Sequence, residues 1–231
     1  MLLVMRIKMF ESGIYESIKN SEISKGNFLK LFTNKNRLFR YLNCILIGLP
    51  IWFVVGVLIT FSPEFGKVLG VTEPISAGKS IMFTYIGLIF GDFTSGFFSQ
   101  YLKSRKKVIA VYILLTFLFI LVYLFSKNLS LEFFYTICVL LGLSIGYWAV
   151  FITIAAENFG TNLRSTVTTT VPNFIRGSVV PITLLFELLR GSMGMIYAAL
   201  LVGLFTVIIA VISLYNLEET FGKDLNFIEN I

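Results

Sequence analysis

The sequence predicts an all-α integral membrane protein, a bundle of six transmembrane helices. Three observations predict it. Six apolar runs, at about 42–61, 80–102, 108–125, 131–156, 167–189 and 193–215, are each long enough to cross a bilayer, which takes about 20 residues. Of the 231 residues, 56% are hydrophobic and only 14% charged, whereas soluble proteins carry about a quarter. The runs do not alternate in polarity and are about twice the ten-residue length of a barrel strand, so each satisfies its own backbone as a helix. The connections are too short for a soluble domain. Three regions follow: a cytoplasmic connector over 1–40, the bundle over 41–217 and a short acidic tail over 218–231.

Along the connector, Phe10, Ile14 and Ile18 recur at four-residue spacing, the pattern either of a short helix lying along lipid headgroups or of a solvated linker. The first run carries Pro50. The connection from Ser62 to Lys79 has turn chemistry throughout, with Pro63, Pro74 and glycines. In the second run Asp92 follows Gly91 and shares a helical face with Tyr85, Ser95 and Ser99. The basic loop KSRKK comes next. The third and sixth runs hold no ionisable group and read as outer supports facing lipid on most sides. The fourth carries Gly142 and Gly146, which with Gly87 and Gly91 make small-xxx-small spacings for close helix approach. Its Ser144, Tyr147, Trp148 and Phe151 form one semi-polar aromatic face, read either as core or as a platform for a solute. The fifth holds Pro172, Arg176, Pro181 and Glu187. Prolines, glycines and intramembrane charges thus gather in the first, second, fourth and fifth runs, which are expected to surround a cavity.

The net charge of +6 does not call for nucleic acid. Lys and Arg outnumber those on the opposite side by about three to one where both termini and the KSRKK loop lie, which puts both termini in the cytoplasm of a multi-pass inner- or cytoplasmic-membrane protein. The chain has no histidine, which removes His-based acid–base catalysis, His-ligated metals and the usual nucleophile triads. No enzyme activity, cofactor or metal is expected. Cys44 and Cys138 read as packing residues. The opening MLLVMRIKMF is too short an apolar run for a signal peptide, so no cleavage is expected.

Arg176 lies twelve residues beyond Arg164, roughly 18 Å along a helix and hence mid-membrane. An arginine there costs roughly 2.5–3.5 kcal/mol on insertion scales and must find a carboxylate, a carbonyl or water. Thr169, Asn173, Arg176, Thr183 and Glu187 fall on one helical line and suggest the wall of an aqueous pathway. Asp92 is either a proton-coupling carboxylate or the partner of Arg176 in a structural bridge. The expected substrate or coupling-ion pathway is therefore Asp92, Tyr85, Tyr147, Trp148, Asn173, Arg176 and Glu187. Glu157 and Arg164, together with Arg105 and Lys106 of the basic loop, are expected to form a cytoplasmic latch whose charge pairs exist in one conformation and break in another.

ENFGTNLRST, with Glu157 and Arg164 separated by six residues, resembles the E-x6-R motif of the major facilitator superfamily, in its sugar-porter-like or metabolite–proton symporter branch. YNLEETFGKDLNFIE resembles that branch's acidic PETKG-type element, and GFFSQYLKSRKK from Gly96 is similar to the loop motif of its second half. Gln100 stands where that motif has an acid and Lys103 where it has a glycine. The tail lacks the expected proline near Asn216, which leaves the last helix free to run on. The resemblance covers nearly the whole chain and implies the carboxyl-terminal half of a twelve-helix transporter working by alternating access. A small organic solute, a coupling proton or sodium ion and a second six-helix bundle are then its expected partners in the lipid bilayer. That bundle would be a missing amino-terminal half or a second copy. The competing expectation is a noncatalytic membrane subunit or a truncated remnant that transports nothing alone.

Overall fold

The computed structural model describes residues 26–229, whose regular structure is all helical with no strand among them. The stripe of Phe10, Ile14 and Ile18 lies outside the described residues. Six spans are long and apolar enough to cross a membrane: Lys35–Ile59, Ala77–Tyr101, Arg105–Phe125, Leu131–Glu157, Thr161–Met193 and Met195–Asn216. The protein is a multi-pass membrane protein. The first and fifth spans begin more than a turn earlier than their apolar runs. The Asn34 side chain caps the first by accepting from the Asn36 and Arg37 N–H groups. In the fifth, the hydroxyls of Thr168, Thr169 and Thr170 each donate back to the carbonyl four residues earlier, so a polar stretch stays helical.

Three spans are broken. The first comprises α1 (Lys35–Leu46), α2 (Leu49–Phe53) and a π-helical turn at Val54–Ile59. Pro50 cannot donate to the carbonyl of Leu46, which ends α1. The Ile47 carbonyl freed nearby accepts from the Tyr147 hydroxyl at 3.0 Å, and the Leu58 carbonyl in the π turn accepts from Tyr123 at 2.8 Å. The short α3 (Ser62–Leu69) follows, then the unbroken α4 (Ala77–Tyr101) and α5 (Arg105–Phe125). The fourth span is α6 (Leu131–Ile145) and α7 (Trp148–Glu157), interrupted at Gly146 and Tyr147. The fifth is α8 (Thr161–Gly177) and α9 (Val179–Met193). There Pro181 sets its ring against the Gly177 carbonyl, which forces the break. The last span is α10 (Met195–Asn216).

Burial ranks the spans differently from the sequence expectation. The first and fourth are the core, with 72% and 61% of their most apolar windows buried. The third and sixth, expected as outer supports, bury 44%, while the second and fifth bury only 22%. A featureless apolar helix packs as readily on protein as on lipid, so lack of polar groups alone does not make it peripheral.

Glycine sets the closest crossing. A Cβ on Gly142 would lie 1.9 Å from the Thr84 carbonyl oxygen, and one on Gly146 would lie 2.4 Å from the Gly91 Cα. The second and fourth spans therefore meet backbone to backbone, as the small-xxx-small spacing requires. Tyr112 of α5 fastens this crossing: its hydroxyl donates to the Gly91 carbonyl at 3.2 Å and lies 2.7 Å from the Thr94 hydroxyl. Thr116 donates to the Ser144 carbonyl at 3.0 Å.

Candidate functional site

The breaks create the site. Where α2 meets the π turn and α7 restarts after Tyr147, a cavity of about 150 Å³ opens between the first, second, fourth and fifth spans. Ile51, Val55 and Leu88 make its apolar floor, and Trp52, Tyr85, Trp148 and Arg176 complete it. The two indoles meet edge to face, with centroids 6.1 Å apart and planes at 78°. The Arg176 guanidinium lies over both rings, 5.7 Å from the Trp52 centroid and 6.0 Å from that of Trp148. Both are within reach of the cation–π attraction. Phe151 braces Trp148 from behind at 5.3 Å.

The expected bridge between Asp92 and Arg176 is not made. Asp92 instead accepts the Ala149 N–H at 3.0 Å, capping the first turn of α7. The cause is the glycine crossing: Gly91 lies against Gly146, so the next side chain reaches the unpaired N–H groups where α7 begins. Arg176 meets no carboxylate among the described residues; their acid–base pairs join Arg37 and Arg40 to Glu229, Arg105 to Glu157, Arg190 to Glu64 and Glu187, and Lys223 to Glu218.

Other expected pathway residues lie elsewhere. Tyr147 is fully buried in the break of the fourth span, its hydroxyl spent on Ile47, so it is a structural tie. Asn173 donates to the Thr169 carbonyl at 2.9 Å and lines a separate open groove of about 520 Å³ with Phe174, Gly177, Ser178 and Pro181. Glu187 is at the far end of the fifth span beside Arg190, at 3.2 Å. The break after Gly177 splits the polar stripe, leaving Thr183 and Glu187 on a different helix from Arg176. Tyr85, Trp148 and Arg176 are brought together; Asp92 does not line the cavity with them. Trp52 was missed by the sequence reading. Its signal was available, since the chain has only two tryptophans and each falls within a span two positions after a proline or glycine, Pro50 and Gly146.

A comparison with protein-family models and with curated proteins gives no match.

A second cluster closes the basic end. Glu157 pairs with Arg105 at 3.1 Å and accepts from the Thr220 hydroxyl at 2.6 Å. Arg105 also donates to Ser99 at 2.8 Å and stacks over Phe221. Arg164 does not join Glu157 directly; it donates to the Ala156 carbonyl at the end of α7 and to Leu225 of the tail, at 3.1 and 2.7 Å. Lys106 donates to the Tyr215 and Leu217 carbonyls, which stops α10 at Asn216, so the last helix does not run on. Glu219 sits at the N-terminus of α5, accepting from the Ser104 hydroxyl and from the Arg105 and Lys106 N–H groups, and from Thr220 and Phe221. Burial pushes its carboxyl up, but these donors outweigh it and hold the pKa below the ordinary carboxylate value. The tail then crosses to the other side, where Glu229 meets Arg37 and Arg40, and Asn162 exchanges hydrogen bonds with the Glu229 backbone. Glu219 and Glu229 were not foreseen as members of this cluster.

Proposed function

We propose that this chain forms one six-helix half of a secondary transporter that moves a small organic solute by alternating access, against a facing six-helix bundle. The observation that carries the reading is the position of Arg176. It is exposed, mid-span, on the fifth span, which with the second is the least buried of the six. A guanidinium with no acid partner is costly against hydrocarbon, so this face belongs against water or another bundle. The cavity that Arg176 lines is, at about 150 Å³, smaller than the roughly 300–1,000 Å³ of a complete small-molecule site. A facing bundle would supply the missing wall. The clustered charges of Arg105, Glu157 and Arg164 suit the cytoplasmic latch of such a carrier, because interlocking pairs at helix ends can hold one conformation and release in another. Both termini are then cytoplasmic, and a proton or sodium gradient drives the solute.

The test is flux. Proteoliposomes holding the full chain, alone and with a candidate facing bundle, are loaded with a pH dye or a sodium dye and challenged with a panel of organic anions, sugars and amines. Solute-dependent, gradient-coupled proton or sodium movement is expected from an assembled pair, or from the chain alone if two copies face each other. A chain that moves no solute with or without a facing bundle is a noncatalytic subunit, and the reading fails.

A further inference from the structure

The chemistry of the cavity is one-sided. We propose that it binds a small organic monoanion, a carboxylate carried on a compact ring or branched aliphatic body, with the carboxylate on Arg176. The inference rests on the transporter reading for how the solute reaches the site, but binding itself requires no flux.

Every polar group lining the cavity is a donor or can be one. Arg176 offers guanidinium N–H groups and no acceptor. The Trp52 indole N–H is buried with no hydrogen-bond partner among the described residues, although buried donors are ordinarily satisfied. Tyr85 adds a hydroxyl. Among the described residues no Asp, Glu, Asn or Gln side chain lines the space, and Asp92 is spent on Ala149. A ligand here must therefore accept, and the positive charge above the indoles favours one that is anionic.

The same inventory makes this wall a poor match for the alternatives. A sugar presents many hydroxyl donors and needs carboxylate or amide acceptors around it, which this wall lacks. An organic amine would suit the tryptophan faces, but Arg176 already occupies them and repels a second cation. An inorganic anion makes no use of Ile51, Val55 and Leu88, which would hold an apolar body out of water. The volume, about 150 Å³, accommodates a single ring or a short branched chain against this wall.

The chain carries its own probe, because both of its tryptophans line the cavity. The full chain in detergent, excited at the indole band, is titrated with benzoate, cyclohexanecarboxylate, benzamide, benzylamine and inorganic phosphate. Saturable fluorescence changes are expected with the two carboxylates. Benzamide, the neutral isostere of benzoate, should bind at least about tenfold more weakly, and benzylamine and phosphate should give no saturable change. Arg176→Gln should weaken benzoate by about tenfold to a hundredfold and abolish its advantage over benzamide. Trp52→Phe should keep that advantage while weakening both ligands. If Arg176→Gln does not fold, the unsubstituted protein and Trp52→Phe still decide. Equal affinity for benzoate and benzamide, tighter binding of benzylamine or phosphate, or no saturable change with either carboxylate overturns the proposal. Carboxylate-selective binding without gradient-driven flux supports the site and counts against the transporter reading; flux of solutes with no carboxylate preference does the reverse.

Discussion

At the scale of single residues, Asp92 separates two roles that the sequence left open. The bridge to Arg176 is absent, and the carboxylate caps α7 at Ala149. Loss of such a cap costs about 1 kcal/mol, in a range of roughly 0.5–2. Asp92→Ala should therefore lower the thermal midpoint of the detergent-solubilised protein measurably, and Asp92→Asn, which keeps an acceptor oxygen, by less. If Asp92 also carries the coupling proton, Asp92→Asn abolishes gradient-driven flux while the thermal midpoint stays near that of the unsubstituted protein; a parallel loss of both would make the cap its whole role. The depth of Arg176 was legible from its spacing to Arg164, because helix rise is fixed. The partner of Asp92 was not, because Ala149 is 57 positions away and becomes a neighbour only through the glycine crossing.

At the scale of elements, the crossing of the second and fourth spans is a steric statement that substitution can check. Gly142 has a carbonyl oxygen where its Cβ would go, whereas Gly96, on the same α4 that Gly142 faces, has nothing within 4 Å. Gly142→Ala must push two helix backbones apart, and overpacking of this kind costs typically about 1–3 kcal/mol. Gly96→Ala meets open space inside a helix and is expected to stabilise by about 0.5–1 kcal/mol. Opposite shifts in thermal midpoint check the pair; equal shifts would mean that the spans do not approach this closely. All six spans were legible because length and apolarity decide them. The break in the fifth could be read from Pro181, but that in the fourth has no proline and depends on Asp92 and Thr116, from other spans, satisfying the Ala149 N–H and the Ser144 carbonyl. Burial order was not legible for the same reason: it belongs to the packing between elements and leaves no mark on a uniformly apolar run.

For the whole molecule, the tail decides how the basic end is held. Residues 217–229 touch the end of every loop there: Glu219 caps α5, Thr220 and Leu225 reach Glu157 and Arg164, and Glu229 meets Arg37 and Arg40. An acidic tail opposite a basic loop was legible as charge complementarity; its role as a helix cap was not, because that required the position of α5 relative to α10. Glu219 makes the strap pH-dependent in a defined direction. Its folded pKa lies below the model-peptide value of 4.5, so its contribution to stability is present in full above that value and is lost as pH falls through the folded pKa. Hydrogen exchange of the tail and of the first turn of α5 should therefore be slow at neutral pH and accelerate on acidification below about 4.5. Glu219→Gln keeps the size of the side chain but removes the charge that Ser104 and the α5 N–H groups address. That variant should exchange faster at neutral pH and lose most of the acid dependence in this segment. Should it retain the full acid dependence, Glu219 is not the group that gives the strap its pH response.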